Sequence, residues 1–323
     1  MTSLQRIGRS ECIEHAKGIF ARLVRVLLGE CAVAAHKLAH GRSLDVLGLT
    51  VSFTHIDYVL RPMADKIAKW SHRIASILES GRLSKGQASK LAGALSWSAQ
   101  HSFHRLGRAM LRPLFAHARS KSTRLHTPVR LCLQWWLEVF SFSLEERQFW
   151  SCSRQNPVQL FADARGDPPR LAAVLLVDGA TLYTDWAPPA ALLEIFRSRR
   201  DNQIMGLELL AIALGLSTFA DVIYGRRVVV WSDNTGGEAA ARAGVASSWD
   251  HTCIVHCLWK KAVQLRADLF IDRVPSDDNI ADLPSREDYE LLRVIDAVWR
   301  TPLLDDEFHC PDAWEALSLR WLL

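Results

Sequence analysis

The sequence predicts a mixed α/β fold: a sheet domain with flanking helices in the second half of the chain, preceded by a mainly helical region. Residues 158–185 contain three apolar runs separated by turn signals, and helical and strand patterns then alternate up to residue 285. Residues 64–140 instead repeat apolar side chains three or four positions apart, which is a helical period. A length of 323 residues suits two such domains.

In the first half, one strand is predicted at Leu44–Phe53, with Ile56–Leu60 as its hairpin partner. Three helices should follow. The first runs from Ala64 to Gly81, the second is N-capped by Ser84, and the third covers Val129–Phe140.

In the second half, the first three strands should be antiparallel, because Asp178-Gly179 is a strong hairpin turn. Two more strands and three helices complete the domain. The strands are Val158–Ala162, Leu171–Val177, Thr181–Asp185, Arg227–Trp231 and Leu269–Val274; the helices cover Leu207–Phe219, Thr252–Leu265 and the residues after Asn279.

The charge is divided unevenly between the two halves. Residues 1–150 hold 22 basic and 10 acidic side chains, a net charge of +12, and the remainder holds 17 basic and 25 acidic ones, a net charge of −8. Such asymmetry favours nucleic-acid contact on the basic side, although a solvated surface explains it equally well. No signal peptide, membrane span or paired-cysteine pattern is evident, so we expect an intracellular protein of the cytoplasm or nucleus that is not secreted and has no membrane partner.

Four acidic residues lie directly after predicted strands or on predicted helices of the second half, where the fold could bring them together. Asp163 and Asp233 come directly after two strands, Glu208 lies on the helix between them, and Asp282 begins the last helix. If these strands are neighbours, the carboxylates meet at one sheet edge, where only a cation would relieve their repulsion. Oxygen ligands suit Mg²⁺ or Mn²⁺. Each acid alone is a weak signal, since an aspartate after a strand is more often a turn former.

The motifs around these acids resemble the RNase H domain of retrotransposon reverse transcriptases, in particular those of the DIRS-like and gypsy-like groups. The motifs are FADAR (161–165), GLELLA (206–211), VVVWSDN (228–234) and NIADLPSR (279–286). VLGLTVSF (46–53), RPMADKIAKW (61–70), GRLSKGQASKLAGALSW (81–97) and GRAMLRPL (107–114) resemble the end of the palm, the thumb and the connection.

This resemblance implies an RNase H-like mixed sheet preceded by a helical thumb and connection-like region. It divides the chain into an N-terminal helical segment with a possible palm remnant (1–43), a palm-end strand with thumb and connection (44–150), the RNase H-like domain (151–290) and a tail (291–323). It also implies hydrolysis of the RNA strand of RNA–DNA hybrids with two Mg²⁺ or Mn²⁺ ions. Asp163 would bridge both ions, Glu208 and Asp233 would hold the ion near the leaving group, and Asp282 the ion that activates water.

Two departures from this family's pattern are visible. RVPSDDN (273–279) lacks the histidine that many members carry before the final acid, and His251 and His256 are interpreted as surface or capping residues. The paired aspartates of the polymerase centre are also missing, so we expect no DNA polymerase activity and interpret the chain as part of a larger polyprotein or a decayed element. A catalytically inactive, nucleic-acid-binding remnant is the alternative function, and a related DNA-cutting enzyme a third.

Basic residues of the helical region are the predicted nucleic-acid contacts. Arg105, Arg108 and Arg112 begin a phosphate-binding stripe that Arg119, Lys121, Arg124 and Arg130 continue. Asn234, Thr235 and Asn279 add contacts from the RNase H-like motifs. A zinc site at His251, Cys253, His256 and Cys257 is disfavoured because the two helical pairs diverge, and Trp97, Trp135 and Trp136 are assigned to the core rather than to base stacking.

Overall fold

The computed structural model describes residues 10–34, 40–54, 57–102, 105–141, 146–149, 156–194 and 203–309. In its first part the elements are α1 (Ser10–Leu28), β1 (Ser43–Val46), β2 (Leu49–Phe53), β3 (Asp57–Pro62), α2 (Ala64–Ser80), α3 (Lys85–Ser102), α4 (Arg112–Arg119), α5 (Thr127–Ser141) and β4 (Glu146–Phe149). The part of the predicted tail after His309, which contains Trp314 and Trp321, lies outside the described residues.

The second part contains β5 (Val158–Gly166), β6 (Pro169–Val177), β7 (Ala180–Trp186), α6 (Ala190–Glu194), α7 (Ile204–Thr218), α8 (Ala220–Ile223), β8 (Arg227–Ser232), α9 (Thr235–Ala243), α10 (Trp249–Gln264), β9 (Asp268–Arg273), α11 (Asp282–Ser285), α12 (Glu290–Val294), β10 (Val298–Trp299) and α13 (Asp306–His309). No helix in these described segments is long and apolar enough to cross a membrane.

The small sheet has the antiparallel order β1-β2-β3-β4. The prediction of one continuous strand at Leu44–Phe53 was wrong, because Leu47 and Gly48 adopt positive φ angles of 53° and 90° and turn the chain between β1 and β2. A two-residue turn of this kind reverses a strand rather than bulging it. The predicted hairpin partner is present as β3.

The three predicted helices are present as α2, α3 and α5, whereas α4 was not predicted. Gly81 ends α2 in the left-handed conformation, with φ of 63°. Ser84 and Gln87 cap α3 reciprocally, since the Gln87 amide donates to Ser84 Oγ and the Ser84 amide donates to Gln87 Oε1. Helix α5 buries Trp135 and Trp136 completely, as core packing predicts.

The large sheet has the order β10-β7-β6-β5-β8-β9. Strands β5, β6 and β7 are antiparallel, whereas β8 and β9 run parallel to β5, so the sheet is mixed as predicted. Asp178 and Gly179 form the β6–β7 turn with positive φ angles. The two-residue edge strand β10 was not predicted. Helix α7 packs directly on β5 and β6, and Gly215 permits this approach because a Cβ there would lie 2.8 Å from Leu160 Cδ1.

Buried side chains of the helical region and of the sheet domain form one continuous core. The Trp135 ring meets the His256 ring edge-on, with 5.6 Å between centroids. His251 and His256 are only 3% and 2% exposed, so their interpretation as surface or capping residues was wrong. Both lie on α10, which is covered by α7 on one side and by the helical region on the other. The division of the chain into four segments stays a prediction.

Candidate metal centre

Strands β5 and β8 bring Asp163 and Asp233 to the same level of the sheet. The strands are parallel neighbours in which Phe161 pairs with Trp231, so residues two positions further along also lie side by side. Asp163 is still within β5 and is 5% exposed, while Asp233 follows the last residue of β8 and is half-buried. The predicted convergence of these two acids therefore follows from strand register.

Helix α7 supplies the third carboxylate. Its residues from Gly206 to Ser217 are all buried, so Glu208 is carried into the interior and is only 4% exposed. The Ala164 backbone amide donates to the Glu208 carboxylate. Glu208 Oε2 has no hydrogen-bond partner among the described residues. A buried carboxylate oxygen without a partner is costly, which makes a ligand at this atom physically favourable.

Asp163, Glu208 and Asp233 each offer a carboxylate oxygen within 4.8 Å of the other two. This is the spatial arrangement that the sequence predicted for these three residues. Among the described residues it is the only group of three or more histidine, cysteine or acidic side chains with such spacing.

Burial and mutual repulsion raise two of the pKa values strongly. Burial is the main cause that raises the pKa of Glu208 to about 9, and the charges of Asp163 and Asp233 add to it. The pKa of Asp163 rises to about 6, again chiefly through burial, against a hydrogen bond from Ser285 that lowers it. At neutral pH the cluster therefore keeps a proton on Glu208 unless a cation replaces it.

Asp282 lies beside this group but is not part of it. It begins α11 and lines the same open cleft, about 920 Å³ in volume, as the three other acids. Its carboxylate accepts a hydrogen bond from Arg286 Nε at 2.7 Å and has a side-chain exposure of 29%. The structure thus brings three of the four predicted acids together and places the fourth at the rim, paired with a cation.

Asn279 and Ser285 hold the segment that carries Asp282 in place through hydrogen bonds. Asn279 is 3% exposed, and its Nδ2 donates to the Ala162 carbonyl of β5 while its Oδ1 accepts from the Ala281 amide. Ser285 is 1% exposed, and its hydroxyl has two acceptors within reach, the Asp282 carbonyl at 2.9 Å and the Asp163 carboxylate, to one of which it donates at a time. Ser285 and Arg286 had no predicted role, although their spacing of three and four residues from Asp282 placed them on its side of a helix.

Of the other predicted nucleic-acid contacts, Asn234 and Thr235 directly follow Asp233, whereas the arginines lie in the helical region. Asn234 is the N-cap of α9, where its Oδ1 accepts from the Gly237 amide at 2.8 Å, and Thr235 is exposed at the first position of that helix. Arg105 lies over the Trp259 ring, and Arg108 packs near Gly244. These two residues belong to the junction between the helical region and the sheet domain.

Arg112 joins the two parts of the chain. Its guanidinium donates to Thr252 Oγ1 at 2.9 Å, to the Ser247 carbonyl at 3.0 Å and to the Ala246 carbonyl at 3.4 Å. Sequence reasoning did not identify this structural role, because the partners lie 134 to 140 residues away along the chain. The later members of the basic stripe, Arg119, Lys121, Arg124 and Arg130, are exposed.

No protein-family model matches the chain, and no curated protein matches it. Among solved structures, the chain is similar to the N-terminal RNase H domain of a Mycobacterium tuberculosis protein, solved as a fusion with maltose-binding protein. The identity is 18%, the TM-score is 0.27, and the match covers 43% of this chain and 96% of the other.

The foamy viral protease-reverse transcriptase in complex with an RNA/DNA hybrid is also similar, at 13% identity and a TM-score of 0.33 over 85% of this chain and 35% of the other. A second foamy viral protease-reverse transcriptase, in complex with double-stranded DNA, has 10% identity and a TM-score of 0.26 over 71% and 38%. This chain spans little more than a third of those two proteins. The predicted architecture, a mixed sheet with flanking helices preceded by a mainly helical region, is confirmed by the strand order and helices, and the first part also contains a small sheet.

The three clustered carboxylates fit a divalent cation. They offer only oxygen atoms, one of which is buried without a partner, and two of them hold protons more tightly than isolated carboxyl groups do. Hard divalent cations take such ligands. Asp163, Glu208 and Asp233 could therefore hold a metal ion.

Proposed function

We propose that the chain is a metal-dependent endoribonuclease of the RNase H type that cleaves the RNA strand of RNA–DNA hybrids. The observation that carries this proposal is the group Asp163, Glu208 and Asp233, whose oxygens lie within 4.8 Å of one another at the end of two parallel strands. An open cleft on this side gives a polymer access to the carboxylates.

The proposed cofactor is Mg²⁺ or Mn²⁺, with two ions. Asp163, Glu208 and Asp233 would hold one ion, and Asp282 would contribute to the second. Bound divalent cations would activate water and neutralise charge on the scissile phosphate. The protein's own part is to hold these carboxylates rigidly: Ser285 orients Asp163, and Asn279 ties the Asp282 segment to β5.

The proposed nucleic-acid track uses the exposed members of the basic stripe, Arg119, Lys121, Arg124 and Arg130. Phosphate contacts by such side chains are independent of sequence, which suits an enzyme that recognises a hybrid by its shape and 2′-hydroxyl groups. Arg112 is assigned instead to holding the two parts of the chain together. Origin from a retroelement reverse transcriptase, with thumb and connection before the nuclease domain, is part of the same proposal.

A cleavage assay tests the proposal. The full chain is incubated with a hybrid labelled on its RNA strand, with Mg²⁺ or with EDTA, and RNA–RNA and DNA–DNA duplexes of the same sequence serve as controls. We expect Mg²⁺-dependent cleavage of the hybrid's RNA that Asp233→Asn abolishes and that Asp178→Asn, a surface carboxylate in the β6–β7 turn, leaves intact. Hybrid binding without cleavage would support the inactive remnant instead. Faster cutting of duplex DNA would support the DNA-cutting alternative.

A further inference from the structure

Arg286 is a cation on the wall of the acidic cleft. Its Nε donates to Asp282 Oδ1 at 2.7 Å, and its side chain is 67% exposed. The bond to Asp282 is the main cause that raises the pKa of Arg286, and the charges of Asp163 and Asp233 raise it further. The guanidinium therefore lies in the electrostatic field of Asp163 and Asp233 as well, although among the described acids it forms an ion pair only with Asp282.

This placement makes the four acids unequal as cation ligands. Asp163, Glu208 and Asp233 are close together and make no ion pair with the described basic residues, whereas Asp282 is already paired with Arg286. An ion pair with this exposure is weak and exchanges readily. If the Arg286–Asp282 pair separated, the Asp282 carboxylate would be available to a cation. The Arg286 guanidinium would then be available to donate hydrogen bonds to a phosphodiester oxygen.

We propose that Arg286 is a positioning residue that acts as a built-in counter-ion for Asp282. While Arg286 is paired with Asp282, a second divalent cation binds only weakly. The pair separates when a nucleic-acid phosphate binds the Arg286 guanidinium. The inference rests on the proposed function, since it concerns the same cleft. It predicts one tight and one weak cation site in the protein without nucleic acid. It also names Arg286 as the residue that couples the phosphate backbone to the second cation.

The test is a Mn²⁺ titration of the full chain without nucleic acid, followed by calorimetry and by the electron paramagnetic resonance signal of free Mn²⁺. For the wild-type chain we expect two phases of clearly different affinity. Arg286→Gln should strengthen the weak phase about tenfold, the effect of removing one unit charge about 6 Å from a divalent ion in water. Arg286→Lys keeps the charge and should keep the weak phase weak. Asp282→Asn should remove the weak phase and spare the tight one.

Arg165→Gln is the matched control, because Arg165 lines the same cleft but pairs with Glu287. If Arg165→Gln raised the Mn²⁺ affinity of the weak phase as much as Arg286→Gln, the cause would be a general effect of net charge, and the inference would be overturned. An unchanged weak phase in Arg286→Gln, or two equally tight ions in the wild type, would overturn it while sparing the proposed function. A wild-type chain that binds no Mn²⁺ would instead refute the proposed metal centre itself.

Discussion

Substitution of Glu208 by glutamine tests the electrostatics of the cluster without changing its shape. The Glu208 carboxyl is 4% exposed, and its pKa is raised from 4.5 to about 9. Between these two values the folded protein holds a proton that the unfolded chain has lost. Stability of the metal-free protein must therefore fall as pH rises through this range, and the loss is complete above about pH 9.

The size of the effect follows from the shift. At pH 7 the unfolded chain gains about 3 kcal/mol from ionising Glu208 that the folded protein cannot gain, at about 1.4 kcal/mol per pKa unit. Glutamine removes this difference and keeps an oxygen that can accept from the Ala164 amide. Since buried groups relax, we expect Glu208→Gln to stabilise the protein by about 1 to 3 kcal/mol at pH 7 in EDTA, and by less than about 1 kcal/mol at pH 5.

The assay is urea unfolding followed by tryptophan fluorescence at several pH values, in EDTA and again in Mg²⁺. The variant should be more stable than the wild type in EDTA at pH 7 and should lose most of the stabilisation by Mg²⁺, because a neutral amide is a poorer ligand. Asp178→Asn removes a carboxylate whose pKa is lowered by Arg226, so it should not reproduce the stabilisation. If Glu208→Gln destabilised the protein in EDTA at every pH, the interpretation of Glu208 as a buried carboxyl group that favours a bound cation would be refuted.

Three further predictions concern the cation, the packing and the nucleic acid. The increase in Tm caused by Mg²⁺ should be larger at about pH 8 than at about pH 6, since protons on Glu208 compete with the cation; equal shifts in scanning fluorimetry would contradict this. In a urea titration, Gly215→Ala should lower the free energy of unfolding by about 1 to 3 kcal/mol, because the new Cβ would clash with Leu160. Gly93→Ala is the control: Gly93 lies on an exposed face of α3 with no atom within 4 Å of the new Cβ, so the change should stabilise the protein by about 0.5 to 1 kcal/mol. Replacing Arg119, Lys121 and Arg124 together by glutamine should reduce the slope of log binding constant against log salt concentration by about 2 to 3, as measured by fluorescence anisotropy of hybrid binding. An unchanged slope would exclude the basic stripe as a phosphate-binding surface.

Local sequence signals predicted the main strands and helices, but not α4, α9, β4 or β10. Ser84 and Gln87 cap α3 through their own side chains, and Asp178-Gly179 turns the chain by its own backbone preference. Such features depend on neighbours within four residues, so the sequence displays them directly. The Leu47–Gly48 turn was missed because its apolar first residue is unusual for a positive φ.

The order of the acids could also be read from the sequence, and with it the expectation that Asp163 and Asp233 meet, although Asp163 lies within β5 rather than directly after it. Tertiary structure alone decided that one oxygen of the buried Glu208 has no partner among the described residues, that Asp282 is paired with Arg286, and that Arg112 binds residues of the sheet domain. The physical reason is that burial, pKa and ion pairing depend on which side chains pack together across the fold. Spacing along the chain does not contain that information.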